Sequence, residues 1–297
     1  MNIDLNLYRI FYVVASKGNI TKAAEELYIS QPAVTQAIQN LEKQIGATLF
    51  IRAKKGVTLT EEAKVLYSFI ETGLNYIQNG ENKFKELMNV ENGTLKIGAS
   101  TTITHYVLLP FLEIYQEKYP NVSISITNSL TRDLVNGLRE GSLDLLVLNL
   151  PTKEYKDLEI TPFREVHDTF MVGKRKKDLA EKTHSLESLL DEDFIFQKYP
   201  SNTRQFLNDW LEENQVTINP KYDIVSFNLV KDMTKMGLGI GYITKEFSEM
   251  EREKNELFEV KTKPKIPSRN IGYVTLKNTI PSFATKAFIN LLKEKKD

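Results

Sequence analysis

The segment ITKAAEELYISQPAVTQAIQNL, residues 20–41, constrains this chain more than any other stretch. Its apolar residues recur at helical spacing in two short runs, Ala23, Ala24 and Leu27, then Val34, Ile38 and Leu41. A tight polar turn separates them. Ser30 is a good N-cap, and Pro32 falls in the first turn of the second run, where its missing N–H costs nothing. The spacing therefore predicts two short amphipathic helices. The second carries Thr35, Gln36, Gln39 and Asn40 on one flank and is poor in carboxylates. A short helix of that kind can enter a DNA major groove and read base edges.

The flanking residues fit the same small core. A helix is expected from about Leu5 to Ser16, with Leu7, Ile10, Phe11, Val13 and Val14 facing inward and Gly18 and Asn19 stopping it. After Gly46, TLFIRAKKGVTL (residues 48–59) has two short apolar ends around a basic tip, which predicts a β-hairpin wing. Thr60, Glu61 and Glu62 open a long helix to about Met88, with a capping hydroxyl and carboxylates at the positive end of the dipole. Leu66, Phe69 or Ile70, Leu74, Ile77, Phe84 and Leu87 stripe one side of it. An apolar stripe outside any globular core needs a partner, so this is read as a dimerisation helix. Gly73 and Gly80 weaken that helix by about 1 kcal/mol each relative to Ala.

Residues 90–93 read as a hinge, and beyond them the pattern changes. LKIGAS, VSISITN and LDLLVLNL read as strands, alternating with helices in ITHYVLLPFLEIYQEKY and TRDLVNGLREG. A second alternating set runs FIFQ, NTRQFLNDWLEE, DIVSF, NLVKDMTKMG and GIGYIT, and IGYVTL and a helix from Ser282 to Lys293 close the chain. The first of these sets, a βαβαβ succession, predicts a parallel sheet covered on both faces. Two α/β lobes joined by crossing segments near 161–165 and 267–269 would leave a cleft between them.

Polar residues gather where these strands end, the usual ligand position in open α/β sheets. Ser100, Thr101 and Thr102 follow the first strand, Asn128 and Ser129 the second, and Asn149 ends the third. From the other lobe come Gln197, Ser201, Asn202 and Thr203, then Ser226 and Phe227. Free N–H groups at helix starts favour an anion there.

Composition excludes several alternatives. There are no cysteines, so disulfides and thiolate metal sites are ruled out. His105, His167 and His184 lack ligand spacing, so no metal is expected. No Ser-His-Asp order, P-loop or dinucleotide motif occurs, and the alternate glycines 237, 239 and 241 enter a strand rather than a helix. An enzyme is therefore not expected, nor a cofactor. The run Lys174 to Lys177 reads as a solvated turn, and Trp210 with Phe206 as core. Net charge is zero, but residues 1–60 hold Arg9, Lys17, Lys22, Lys43, Arg52, Lys54 and Lys55 against Asp4, Glu25, Glu26 and Glu42, so a modestly basic head precedes an acidic body. With no basic leader and no apolar run approaching ~18 residues, a soluble, cytoplasmic protein without membrane contact is expected.

The whole chain resembles LysR-type transcriptional regulators. The match is most specific in ITKAAEELYISQPAVTQAIQNLEKQIGATLFIRAKKGVTLTEEA, with its T-x-A-A-x-x-L, S-Q-P-A-V, L-E-x-x-I-G and L-F-x-R elements; LKIGAS, LLP and GSLDLLV are weaker matches. Three positions depart from the family pattern: Lys55 where a second wing arginine is usual, Lys64 where glycine is common, and no arginine near Gln36 or Ala37. The resemblance implies a winged helix-turn-helix at 1–59, a linker helix at 60–89, a hinge at 90–93, effector lobe I at 94–163 and 268–297, and lobe II at 164–267. It implies that Gln31, Pro32, Ala33, Thr35, Gln36 and Gln39 face the major groove while Arg52, Lys54 and Lys55 meet phosphates. It further implies a homodimer or dimer of dimers on an inverted-repeat promoter site, contact with RNA polymerase, and an anionic small-molecule effector between the lobes. The competing reading is a soluble solute-binding protein without DNA regulation, against which the N-terminal sixty residues argue.

Overall fold

The computed structural model describes residues 3–53, 56–88, 93–151 and 155–294. Lys54 and Lys55 of the wing tip and residues 90–92 of the expected hinge lie outside the described residues. The chain divides into two compact units, 1–85 and 86–297.

Local capping sets the first unit. Helix α1 (Leu5–Lys17) ends at Gly18, whose φ of 60° is left-handed and whose N–H returns to the Val14 carbonyl. The Asn19 side chain accepts from the Thr21 and Lys22 N–H groups and starts α2 (Ile20–Leu27). The Ser30 hydroxyl accepts from Ala33 N at 3.4 Å and starts α3 (Gln31–Ile45), which Gly46 closes at φ 78°. Strands β1 (Phe50–Ala53) and β2 (Gly56–Leu59) form the expected antiparallel hairpin. Gly56 is required there: a Cβ would lie 2.1 Å from the Gly18 carbonyl oxygen, next to where Val57 N donates to that oxygen at 2.9 Å. Glu42 of α3 accepts from Leu49 N at 2.7 Å and ties the wing to the helix. Phe11, Val14, Val34, Leu41, Leu49 and Ala63 form a fully buried core.

Thr60 caps α4 (Glu61–Met88), accepting from Ala63 N at 3.1 Å. The apolar residues of α4 split between two surfaces. Leu66, Tyr67 and Ile70 pack on the head core. Val65, Phe69, Tyr76, Ile77 and Phe84 remain exposed.

The second unit holds two sheets. Lobe I contains β3 (Thr94–Ala99), α5 (Thr101–Ile103), α6 (Leu109–Lys118), β4 (Ser123–Asn128), α7 (Thr131–Arg139), β5 (Leu145–Asn149) and β6 (Leu158–Val166), with a π-helical turn at Thr104–Leu108 joining α5 to α6. Lobe II contains β7 (Asp168–Gly173), β8 (Thr183–Ser185), β9 (Phe194–Gln197), α8 (Asn202–Glu213), β10 (Tyr222–Ile224), α9 (Phe227–Lys235), β11 (Ile240–Thr244), α10 (Glu249–Glu253) and β12 (Leu257–Lys263). The chain then returns to lobe I through β13 (Arg269–Leu276) and α11 (Phe283–Glu294). The sheet orders are β4-β3-β5-β13-β6 and β10-β9-β11-β7-β12-β8.

The parallel order expected of the first βαβαβ set is found, and each sheet also carries antiparallel neighbours. Strands β4, β3 and β5 are parallel, as are β10, β9 and β11. Strand β13 runs antiparallel to β5 and β6, and β7 runs antiparallel to β11 and β12. The reason is topological. Strands β7 and β13 enter their lobes from a crossing, at the edge where the strands beside them end, so they run against those neighbours. The first crossing lies at His167, between β6 and β7, and residues 161–165 are strand rather than connector. Pro162 obscured this, since proline argues against a strand. It sits on the edge strand β6 at a register shift, where Ile271 pairs with Arg164 and Gly272 with Pro162, leaving Phe163 between them. The basic run from Lys174 belongs to a short 3-10 segment, Lys174–Ala180, rather than a simple turn. Trp210 is buried in lobe II as expected. Gly241 admits no side chain because a Cβ would stand 2.0 Å from Thr234 Oγ1 of α9, so this glycine serves helix-on-sheet packing.

A buried ion pair and an aromatic stack are among the contacts that join the lobes. Arg269 and Asp168, the first residues of β13 and β7, are each 3% exposed. Arg269 Nη2 donates to Asp168 Oδ1 at 3.0 Å, and its Nε donates to Oδ2. Its Nη1 donates to Asn149 Oδ1 of β5, while Thr244 and Tyr242 of β11 donate to the same carboxylate at 2.5 and 3.3 Å. Burial disfavours the Arg269 charge, but the adjacent Asp168 carboxylate outweighs it and raises the guanidinium pKa. The second contact is Tyr106, from the π-helical turn. Its ring stacks on Phe247 at 4.9 Å, and its hydroxyl donates to Asn228 at 2.6 Å and accepts from Lys231 at 2.9 Å.

Arg269→Met leaves the Asp168 carboxylate buried without its cation, so urea unfolding should show a loss of about 3–5 kcal/mol. The double replacement Arg269→Met with Asp168→Leu should recover much of that loss; a double variant no more stable than the single one would contradict the ion-pair account.

Candidate functional site

Two surfaces are candidates, one in each unit. On α3, Gln31, Pro32, Ala33, Gln36 and Gln39 are exposed, while Val34, Ile38 and Leu41 on the opposite side are buried. The helix thus presents an uncharged donor-and-acceptor face whose orientation is set by its own core contacts. Thr35 is half-buried, and its hydroxyl donates back to the Gln31 carbonyl at 3.1 Å, which leaves its oxygen available to accept. Of the wing cations, the backbone of Arg52 lies in β1. Tyr28, in the left-handed turn between α2 and α3, is 95% exposed.

In the second unit a cleft of about 660 Å³ opens between the lobes. Ser100, Thr101, Thr102, Asn128 and Ser129 line it from lobe I, and Gln197, Ser201, Ser226 and Phe227 from lobe II. The sequence signal worked because capping is local. Ser100 Oγ accepts from Ile103 N at 3.2 Å, Ser201 Oγ from Arg204 N at 3.1 Å, and Ser226 Oγ from Leu229 N at 3.4 Å. Three helical segments therefore begin at the cleft wall, with the positive ends of their dipoles turned to it. Asn128 is held by bonds from its amide to the Ala99 carbonyl at 3.1 Å and to Thr104 Oγ1 at 2.8 Å. Ser129 donates to Asp133 at 3.1 Å.

Asn149, Asn202 and Thr203 stand apart from these. They line a smaller adjoining recess of about 80 Å³ and bond to one another across the lobes. Asn202 donates to the Asn149 carbonyl at 2.9 Å, and Asn149 Nδ2 donates to Thr203 Oγ1 at 3.3 Å. With Arg269 on its Oδ1, Asn149 has its side chain engaged in joining the lobes.

Sequence reasoning missed His105, Lys198 and Tyr199 in the cleft wall. His105 lies one residue inside the π-helical turn, and Lys198 and Tyr199 follow β9 in an irregular turn, so neither periodicity nor capping marks them. Lys198 adds a cation to a wall whose one carboxylate, Asp133, is hydrogen-bonded to Ser129. Among the described residues no cluster of side chains could hold a metal ion, and no helix is long and apolar enough to cross a membrane.

Comparison with known proteins identifies both units. Residues 5–64 match the bacterial regulatory helix-turn-helix protein, lysR family, and residues 89–297 match the LysR substrate binding domain. A probable RuBisCO transcriptional regulator of Synechocystis is 28% identical over 290 residues, which cover 96% of this chain and 84% of that protein. Full-length OxyR of Pseudomonas aeruginosa has the same fold, with a TM-score of 0.68 at 20% identity over 99% of this chain and 94% of that chain. The regulatory domain of Synechocystis CcmR in complex with 2-PG superposes with a TM-score of 0.62 at 21% identity, over 69% of this chain and 98% of that chain. An N-terminal helix-turn-helix and a two-lobe α/β substrate-binding domain, each matched along its length, place this chain in the LysR family of transcriptional regulators.

Proposed function

We propose that the protein binds an inverted-repeat promoter site as a homo-oligomer and that a small anionic molecule in the interlobe cleft controls it. The observation that carries this reading is the α3 surface. Gln31, Gln36 and Gln39 are exposed and uncharged on a helix whose other side is locked in the head core. Gln can pair bidentately with adenine, and the Ala33 methyl can meet a thymine methyl. Arg52, Lys54 and Lys55 take the phosphates, which position the head without reading sequence. In this reading 1–59 is the DNA-binding head, 60–89 the linker helix, 90–93 the hinge, 94–163 with 268–297 lobe I, and 164–267 lobe II.

The exposed Val65, Phe69, Ile77 and Phe84 of α4 support pairing through the linker helix. A single helix-turn-helix specifies few base pairs, so two heads on symmetric half-sites supply the remaining specificity. An effector that binds one arrangement of the lobes better than another shifts the spacing of the paired heads, and so DNA bend or contact with RNA polymerase. For the effector, three helix starts and Lys198 around the cleft favour an anion. The 2-PG bound to the CcmR regulatory domain is a rational first probe.

Fluorescence anisotropy on a promoter fragment tests the reader. Gln36→Ala should lower discrimination between base pairs by about 1–3 kcal/mol, whereas Lys55→Ala should weaken binding to all sequences and reduce the salt slope by about 1. Identical behaviour of the two variants would refute the division of roles, and no DNA affinity at low salt would refute the regulator reading itself. Sedimentation velocity tests the oligomer: Phe69→Glu with Ile77→Glu should shift the protein to monomer without unfolding the head, and an unchanged dimer would place the interface elsewhere. A thermal-shift screen of 2-PG, amino acids, organic acids and phosphorylated sugars tests the cleft. Anionic compounds should raise the melting temperature by a few degrees, about 2.7 kcal/mol at a hundredfold excess over Kd, with a smaller rise in Lys198→Ala. Stabilisation by uncharged compounds alone would overturn the anionic class.

A further inference from the structure

A second cavity lies in lobe II, away from the residues that form the effector cleft. It has a volume of about 390 Å³, inside the range of roughly 300–1,000 Å³ typical of small-molecule pockets. Its walls come from the start of β7, the residue after β11, strands β8 and β12, and the return crossing between β12 and β13. Three lysines face it, Lys245, Lys261 and Lys265, together with the hydroxyls of Thr183 and Thr262.

Its charge is not balanced from within. Two carboxylates line the cavity, Asp168 and Glu259. Both Asp168 oxygens are taken by Arg269, which neutralises that charge. Glu259 pairs with Lys245 at 2.5 Å and accepts from Thr169 at 3.2 Å. His167, also in the wall, is paired with Glu246 at 2.8 Å. Lys261 and Lys265 are left exposed, with no ion-pair partner among the described residues. Two unpaired cations with hydroxyl donors between low-dielectric walls concentrate a positive field in the cavity, and ammonium and hydroxyl groups bond best to a charged oxygen acceptor.

The place of the cavity gives such a ligand a consequence. His167 is the first crossing, and Lys265 and Ile266 belong to the second. The His167 carbonyl accepts from Lys245 N at 2.8 Å, and Ser268 of the second crossing donates to Glu165, beside the first. An anion bridging Lys261 and Lys265 would tie β12 to the second crossing, which Ser268 bonds to Glu165 beside the first.

We propose that this cavity is a second ligand site for a small multivalent oxyanion, separate from the interlobe cleft and acting on the lobe crossing. Calorimetric titration of the full-length protein with citrate and with inorganic phosphate, at ionic strength held constant with chloride, tests it. The wild type should bind at least one of them saturably. Lys261→Gln with Lys265→Gln, two exposed positions, should keep the ligand-free unfolding midpoint while losing about tenfold or more in affinity, as two charge-assisted bonds are removed. Lys198→Ala in the effector cleft should leave this binding unchanged, which separates failure at one site from failure at the other. Equal affinity in the double lysine variant, loss of binding only in Lys198→Ala, or no saturable binding of either anion up to about 10 mM would each overturn the proposal.

Discussion

The buried pair of Arg269 and Asp168 is the interaction on which the two-lobe body depends. Each residue opens the strand that enters its lobe, so the pair sits where both crossings pass. Removing two charges from water is costly and is offset only by dense hydrogen bonding. Here Thr244, Tyr242 and Asn149 complete the shell. The network thus links β5 of lobe I, β7 and β11 of lobe II and the return strand β13 at one point. This bridge holds the lobes together at the crossings, while the contact through Tyr106 is an aromatic stack with two hydrogen bonds. Lys231, which contacts Tyr106, is kept charged there: burial opposes its ammonium, but bonds to Glu251 and Tyr106 outweigh that and raise its pKa.

The cleft follows from this frame. Strand ends from the two lobes converge because each sheet turns the carboxyl ends of its parallel strands to the same gap. Helices α5, α8 and α9 begin on serine caps whose residues line the opening. The cleft's charged lining is one lysine, Lys198, and one carboxylate, Asp133, beside these helix starts. The second cavity differs: its unpaired charge comes from Lys261 of β12 and Lys265 of the second crossing.

Much of the head was legible in the sequence because its determinants act over three or four residues. Gly18, Asn19, Ser30 and Gly46 each set a helix boundary through a bond to a near neighbour. The cleft hydroxyls were legible for the same reason. The strand β6 was hidden by Pro162, whose missing N–H is tolerated only because the strand lies on an edge and bulges there. The parallel strands β4, β3 and β5 were legible from their alternation with helices, whereas the antiparallel placing of β7 and β13, the strands that enter each lobe from a crossing, was not.

By itself, the sequence determined the local elements, the capped recognition helix, the family resemblance and the polar character of the cleft, since each depends on periodicity or on contacts a few residues apart. Only the tertiary structure decided that Asn149, Asn202 and Thr203 tie the lobes to each other, that α4 divides its apolar residues between the head and solvent, and that Lys261 and Lys265 share a cavity. Arg269 meets Asp168 across 101 residues of sequence and Asn149 across 120. No local pattern encodes such a pair: a charge destined for burial looks like a surface residue until folding brings its counter-charge to it.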